Sequence, residues 1–207
     1  MLKMSLVDKL RSQIHSLGRG AIASRKQYVS SSFSNLDKWL PQSGFALGSF
    51  VEILQDSHGI GSYALALSLA RAAKDCKPAW AVLDTEATFN PPVAEAYGWD
   101  VQKLVLVRAS PEDGGWCFAQ LLRSKDISAS FWSSSNMDSM VFRRLQLAAE
   151  RGGGMGFVIR PMTALRKPCW GSLRIHAISR GSNKVCLRLL HARGQPNPSA
   201  DEIEVTL

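Results

Sequence analysis

The sequence predicts an α/β fold in which a mostly parallel, twisted sheet is flanked by helices. The first observation is that β-rich and helical runs alternate over residues 49–161, which is the pattern of repeated strand–helix–strand units. The second is that the helical runs carry helical periodicity, since residues 62–75 are apolar at that spacing. Three more β-rich runs follow at 172–179, 184–192 and 201–207, and we expect them to extend the sheet as antiparallel strands.

Residues 33–207 are predicted to form one core domain from these elements. Prolines open the helix predicted at 91–98, because their fixed φ suits the first turn of a helix. Gly152 ends the helix predicted at 138–152. The other predicted helices are 62–75 and 115–124, and the predicted strands before the last three are 49–54, 78–84, 103–109, 127–133 and 155–161.

Residues 1–32 are predicted to form a short helix and a polar linker ahead of the core. Four apolar side chains recur at spacings of four, four and three residues, which places them on one face of a helix over 5–17. A helix of this length is marginal in water, so the face must pack either on the core or on a neighbouring molecule. The four residues are Leu6, Leu10, Ile14 and Leu17.

The composition argues against several classes of protein. No apolar run reaches the roughly 18 residues that a membrane span needs, and charges interrupt any secretory signal near the start. The four cysteines are far apart and lack metal-ligand spacing, so neither a metal site nor a disulfide framework is expected. Free thiols of this kind are typical of a reducing cytoplasm, which is the expected compartment.

The net charge of +8 is concentrated in two segments. Residues 1–36 hold six Lys or Arg and one acid, and residues 151–200 hold nine Lys or Arg and no acid. Such segments suit a polyanion or an acidic protein surface. The alternative is a solvated basic face with no specific partner.

An ordered series of motifs resembles the RecA superfamily. The run NLDKWLPQSGFALGSFVEIL (35–54) is similar to the segment that leads into the phosphate loop of that family. The run AVLDTEATFNP (81–91) is similar to its strand and catalytic-glutamate segment, with Glu86 at the glutamate position. FRRLQLAAERGGGMGFVIRP (142–161) and LRLLHARG (187–194) are most similar to ImuA-like proteins, RecA-like accessory proteins of damage-induced mutagenesis.

This resemblance implies a RecA-like core and a role in the SOS response to DNA damage. The implied partners are RecA and an ImuB-like homologue of the Y-family polymerases, and the implied process is error-prone translesion synthesis. A SulA-like inhibitor of cell division is the first alternative, because SulA has a similar degenerate core. An active RecA-like ATPase is the second.

The residues that bind and hydrolyse a nucleotide in this superfamily are mostly missing. A phosphate loop has the pattern G-x-x-x-x-G-K-[ST], and with Ser62 at the hydroxyl position Gly61 stands in place of the lysine. The strand predicted at 127–133 carries no acid to hold Mg²⁺. Gly59 and Gly61 still permit a tight turn, and Glu86 is left as a vestige. We therefore expect no catalysis, no cofactor and no metal.

The acid-free segment supplies the candidate surface for single-stranded DNA or for a protein partner. A basic and aromatic loop after the fifth predicted strand can contact phosphates and stack on a base. Three to five phosphate contacts on single-stranded DNA predict a log–log salt slope of about −2 to −3.5. The candidate residues are Arg160, Arg166, Lys167, Trp170, Arg174 and Arg180.

The N-terminal segment yields a first prediction. Because RecA-like subunits dock through a similar helix, we expect deletion of residues 1–20 to weaken association with RecA in a pull-down and to leave the melting temperature of the core nearly unchanged. Unfolding of the core on this deletion would instead show that the apolar face of the helix packs on its own domain.

Overall fold

The computed structural model of the chain describes residues 27–56, 61–181, 183–193 and 202–207. The predicted N-terminal helix, with Leu6, Leu10, Ile14 and Leu17, lies outside these residues, and so does Gly59 of the phosphate-loop segment. Within the described ranges, no helix combines the length and the apolar character that crossing a bilayer requires.

The described residues contain ten strands and five α-helices, which alternate from β3 to β7. The strands are β1 (Tyr28–Val29), β2 (Phe45–Ala46), β3 (Phe50–Gln55), β4 (Ala79–Leu83), β5 (Leu104–Val107), β6 (Ile127–Ser133), β7 (Met155–Pro161), β8 (Leu173–Ser179), β9 (Lys184–Ala192) and β10 (Glu202–Thr206). The helices are α1 (Ser34–Asp37), α2 (Ser62–Ala70), α3 (Pro91–Ala96), α4 (Gly114–Arg123) and α5 (Ser139–Gly152), and short 3₁₀ turns include Met162–Arg166.

Eight of these strands form one sheet in the order β10-β9-β8-β3-β7-β6-β4-β5, and β1 pairs only with β2. From β8 across to β5, every neighbouring pair is parallel. The pairs β8–β9 and β9–β10 are antiparallel. The predicted fold class is therefore confirmed: this is an α/β domain with a mostly parallel sheet and antiparallel C-terminal strands, consistent with a RecA-like fold.

One detail of the C-terminal strands differs from the prediction. β8 runs parallel to β3, so the antiparallel pairing begins only at β9. The reason is the connection before it: β7 ends at the carboxyl edge of the sheet, and residues 162–172 then return to the opposite edge before β8 starts. We call this returning segment the β7–β8 crossover.

The two faces of the sheet carry separate apolar cores because side chains alternate along each strand. On β3, Val51 and Ile53 pack on the face that α2 and α3 cover. Phe50 packs on the other face, where α4 and α5 lie. Glu52 shares that second face by the same alternation, and it is fully buried there.

The helices α4 and α5 lie side by side because glycines stand at both ends of their contact. A Cβ atom on Gly115 would lie 2.8 Å from Val141 Cγ1, and one on Gly152 would lie 1.9 Å from the Leu122 carbonyl oxygen. Since the start of α4 meets the start of α5 and the two ends also meet, the helices are parallel. Both N-termini therefore lie at the carboxyl edge of the sheet.

Candidate functional site

The turn that precedes α2 leads into a helix N-terminus, but it has no lysine that could bind a phosphate. Gly61 has a left-handed conformation with φ of 80°, which glycine adopts without strain. A Cβ atom there would lie 3.4 Å from Leu207 Cδ1 and 3.9 Å from Val185 Cγ2. Ser62 is buried, and its hydroxyl has no hydrogen-bond partner among the described residues. The lysine position thus faces apolar side chains of the C-terminal strands.

Glu86 lies on an exposed loop after β4, and a neighbouring carboxylate shapes this loop. Asp84 is buried and accepts hydrogen bonds from the backbone N–H groups of Thr88 at 3.0 Å and Phe89 at 3.2 Å. Through these two hydrogen bonds, Asp84 holds the loop that carries Glu86.

Burial raises the pKa of the Tyr63 hydroxyl, and the charges of Asp84 and Glu86 raise it further.

An aromatic ring occupies the end of β6, where the superfamily resemblance implies a metal-binding acid. Trp132 is buried, and its Nε1 donates a hydrogen bond to Thr85 Oγ1 at 3.3 Å. A Cβ atom on Gly114 would lie 2.6 Å from Trp132 Cζ2, so the ring packs directly against the start of α4. No group of three metal-ligating side chains occurs among the described residues.

The most strongly charged group in the interior is an ion triad across three strands. Glu52 of β3 is fully buried, and Arg160 Nη1 of β7 donates to its Oε1 at 2.8 Å. Arg174 lies opposite Glu52 in the register of β3 with β8, and its Nε donates to Oε2. The exposed fraction of the side chain is 2% for Arg160 and 6% for Arg174.

Further guanidinium N–H groups of the triad bind neighbouring loops, while Arg160 Nε is buried without a hydrogen-bond partner among the described residues. Arg160 Nη2 donates to the carbonyl oxygen of Met137 at 3.0 Å, and its guanidinium carbon lies 5.6 Å from the centre of the Phe142 ring. Arg174 Nη2 donates to the carbonyl oxygen of Lys167 at 3.1 Å. The prediction that Arg160 and Arg174 line a surface groove is therefore wrong, because both side chains are used inside the protein.

The other candidates on the β7–β8 crossover stay at the surface. Arg166, Lys167 and Trp170 are all exposed. Lys167 Nζ donates to the Met137 carbonyl oxygen at 3.1 Å, and the Arg143 guanidinium lies 5.2 Å from the centre of the Trp170 ring. These contacts hold a basic and aromatic surface on the crossover, directly outside the buried triad.

Arg180 does not belong to this surface. It follows the end of β8, at the opposite edge of the sheet from the residues where β8 begins, and its Nη2 lies 3.3 Å from Glu202 Oε2 of β10. On the same face, Lys184 pairs with Glu204 and Arg188 with Glu202. Arg180 therefore takes part in a solvent-exposed charge ladder on β9 and β10.

Sequence reasoning missed Glu52 and the role of the two arginines that bind it. The pattern that could have found them is a charged residue inside an otherwise apolar strand, which occurs in FVEIL, in VIRP and in LRIHA. A charge in a strand buried on both faces requires an opposite charge from a neighbouring strand. Cys169 lies close to the triad as well: burial raises the pKa of its thiol to about 11, with a further increase from the negative charge of Glu52.

We predict that Glu52→Gln lowers the free energy of unfolding by about 3–5 kcal/mol, because it leaves two buried guanidinium groups without a counter-charge. Urea unfolding followed by circular dichroism measures this loss. The matched control is Glu204→Gln, which breaks the exposed pair with Lys184 and should change the unfolding midpoint far less. Equal midpoints for the two variants would contradict a structural role for the triad.

Comparison with known proteins assigns no family to the chain. No protein-family model matches it. No curated protein matches its sequence.

Proposed function

We propose that this chain is a non-catalytic, RecA-like accessory protein of the SOS response, which supports error-prone translesion synthesis by binding RecA and an ImuB-like polymerase homologue. The environment of Gly61 is the main observation that supports a non-catalytic role. At the position where a phosphate loop has its lysine, the chain has a left-handed glycine, and a side chain there would meet Leu207 and Val185. The damage-response role rests on the sequence resemblance.

Two further observations support binding in place of hydrolysis. The end of β6 is filled by the buried ring of Trp132, and phosphoryl transfer depends on a metal and a lysine that neutralise charge on the phosphates. Glu86 is exposed on a loop that Asp84 holds. It is a single carboxylate without the lysine and the metal-binding acid that phosphoryl transfer requires. The cytoplasm is the compartment that we propose.

Single-stranded DNA is a further proposed partner, through the exposed residues of the β7–β8 crossover. Arg166 and Lys167 provide positive charge, and Trp170 exposes 40% of its surface beside the Arg143 guanidinium. Aromatic rings beside cations form the usual stacking platform for single strands. The burial of Arg160 and Arg174 leaves fewer cations for phosphates than the sequence alone predicted.

We predict that the purified protein releases no phosphate from ATP above background, with or without single-stranded DNA, and that the same preparation binds purified RecA. Steady-state phosphate release that Glu86→Gln abolishes would contradict the absence of catalysis. Capture of a tubulin-like division protein from damaged cells, with no capture of RecA, would favour the SulA-like alternative.

The crossover surface gives a prediction that salt tests. Two phosphate contacts, from Arg166 and Lys167, predict a log–log salt slope of about −1.4 for binding of single-stranded DNA. Reversing both residues to Glu should weaken binding to all sequences alike, because phosphate contacts carry no sequence information. Arg180→Glu is the matched control and should leave binding unchanged, since Arg180 lies on the β9–β10 ladder. A flat salt response would assign this surface to a protein partner.

A further inference from the structure

The outer side of α4 and α5 exposes an unusual amount of apolar surface. The exposed fraction is 62% for Trp116, 82% for Met140 and 38% for Leu147. Single exposed apolar residues are common, but Trp and Met exposed together are typical of surfaces that bind another molecule. Because α4 and α5 are parallel and in contact at Gly115 and Val141, Trp116 and Met140 lie at the same end of the helix pair.

A groove opens beside this apolar end, at the carboxyl edge of the sheet. It has a volume of about 420 Å³, in the range of pockets that enclose small ligands or large side chains. Its apolar lining comes from Trp116, Trp132, Met137 and Val141, and its polar lining comes from Glu112, Asn136, Asp138 and Arg144. The groove is therefore able to accept an apolar side chain that another molecule inserts between the N-termini of the two helices.

Toward the C-terminal ends of the two helices, the surface of the same helix pair is basic. Arg144 and Arg151 lie on α5 and Arg123 lies on α4, all three exposed, and none makes an ion pair with another described residue. The one carboxylate of the two helices belongs to Glu150, and Arg193 Nη1 binds it at 2.7 Å. This side of the molecule thus has positive charge without a partner next to exposed apolar groups.

We propose that these six exposed residues form a docking face for an acidic amphipathic helix of a protein partner. We call them the α4–α5 face: Trp116, Arg123, Met140, Arg144, Leu147 and Arg151. The apolar side chains of the partner pack on Trp116, Met140 and Leu147, and its carboxylates bind the three arginines. Arg144 and Arg151 are seven residues apart, which is about 10 Å along a helix, so acidic residues two turns apart on the partner match them.

Charge and chemistry favour this occupant over two others. The chain's own residues 1–26 carry six Lys or Arg and a single acid, so they would be repelled by the arginines. Single-stranded DNA has only Trp116 on which to stack, because Met140 and Leu147 offer no ring, whereas an amphipathic helix packs on all three.

Labelled peptides test the α4–α5 face directly on the full chain. The probe is a helical peptide of about 20 residues, with Leu along one face and Glu beside it, and its matched control has Lys at every Glu position. An oligothymidine of about 20 nucleotides is the third probe. Fluorescence anisotropy is expected to show binding of the Glu peptide at least about tenfold tighter than binding of the Lys peptide. The oligothymidine should not displace the Glu peptide.

Substitutions at exposed residues show where the peptide binds, because these side chains contribute little to the stability of the fold. Trp116→Ala and Met140→Ser should each weaken binding of the Glu peptide about tenfold. Arg144→Glu combined with Arg151→Glu should reverse the preference, so that the Lys peptide binds more tightly. Trp170→Ala, on the β7–β8 crossover, is the control and should leave binding of the Glu peptide unchanged.

Three outcomes would overturn the docking face. They are no binding of the Glu peptide, unchanged binding in both Trp116→Ala and Met140→Ser, and displacement of the Glu peptide by oligothymidine. The last result would make the face a nucleic-acid site. None of these measurements involves RecA or ATP, so they succeed or fail independently of the role in the SOS response.

Discussion

The burial of one carboxylate between two guanidinium groups is the interaction on which the rest of the structure depends. Glu52 lies in the central strand β3, where an uncompensated charge would cost several kcal/mol. Arg160 and Arg174 supply the opposite charge from the strands on either side, β7 and β8. The Nη2 groups of the two arginines bind the backbone carbonyls of Met137 and Lys167. The same three side chains therefore join the central strands to the loops that carry the candidate surfaces.

The triad also leaves an excess of positive charge beneath the β7–β8 crossover, since two arginines meet one glutamate. Burial lowers the pKa of His191, and the positive charges of Arg174 and Arg193 lower it further. Arg166 and Lys167 add charge at the surface of the same region. This region therefore carries positive charge both at the surface and in the interior beneath it.

The carboxyl edge of the sheet holds apolar groups in two places among the described residues. Ligands of parallel α/β sheets bind at this edge, where loops and helix N-termini meet. Here Leu207 and Val185 place apolar groups in front of Gly61, and the buried ring of Trp132 occupies another part of the edge. Among the described residues, a groove opens beside Trp116; polar and apolar side chains line it, and it borders a basic helix pair. Such a surface is suited to binding a protein.

The sequence by itself determined the type and order of the elements, because periodicity and helix-ending residues act locally. It also determined that Gly61, and not a lysine, precedes Ser62 and that β6 carries no acid. Only the tertiary structure decided which charges reach solvent: Arg160 and Arg166 stand six residues apart, yet one binds Glu52 from 108 residues away and the other is exposed. The direction of β8 and the α4–α5 face were decided in the same way. Each depends on pairing between distant segments, which no local pattern records.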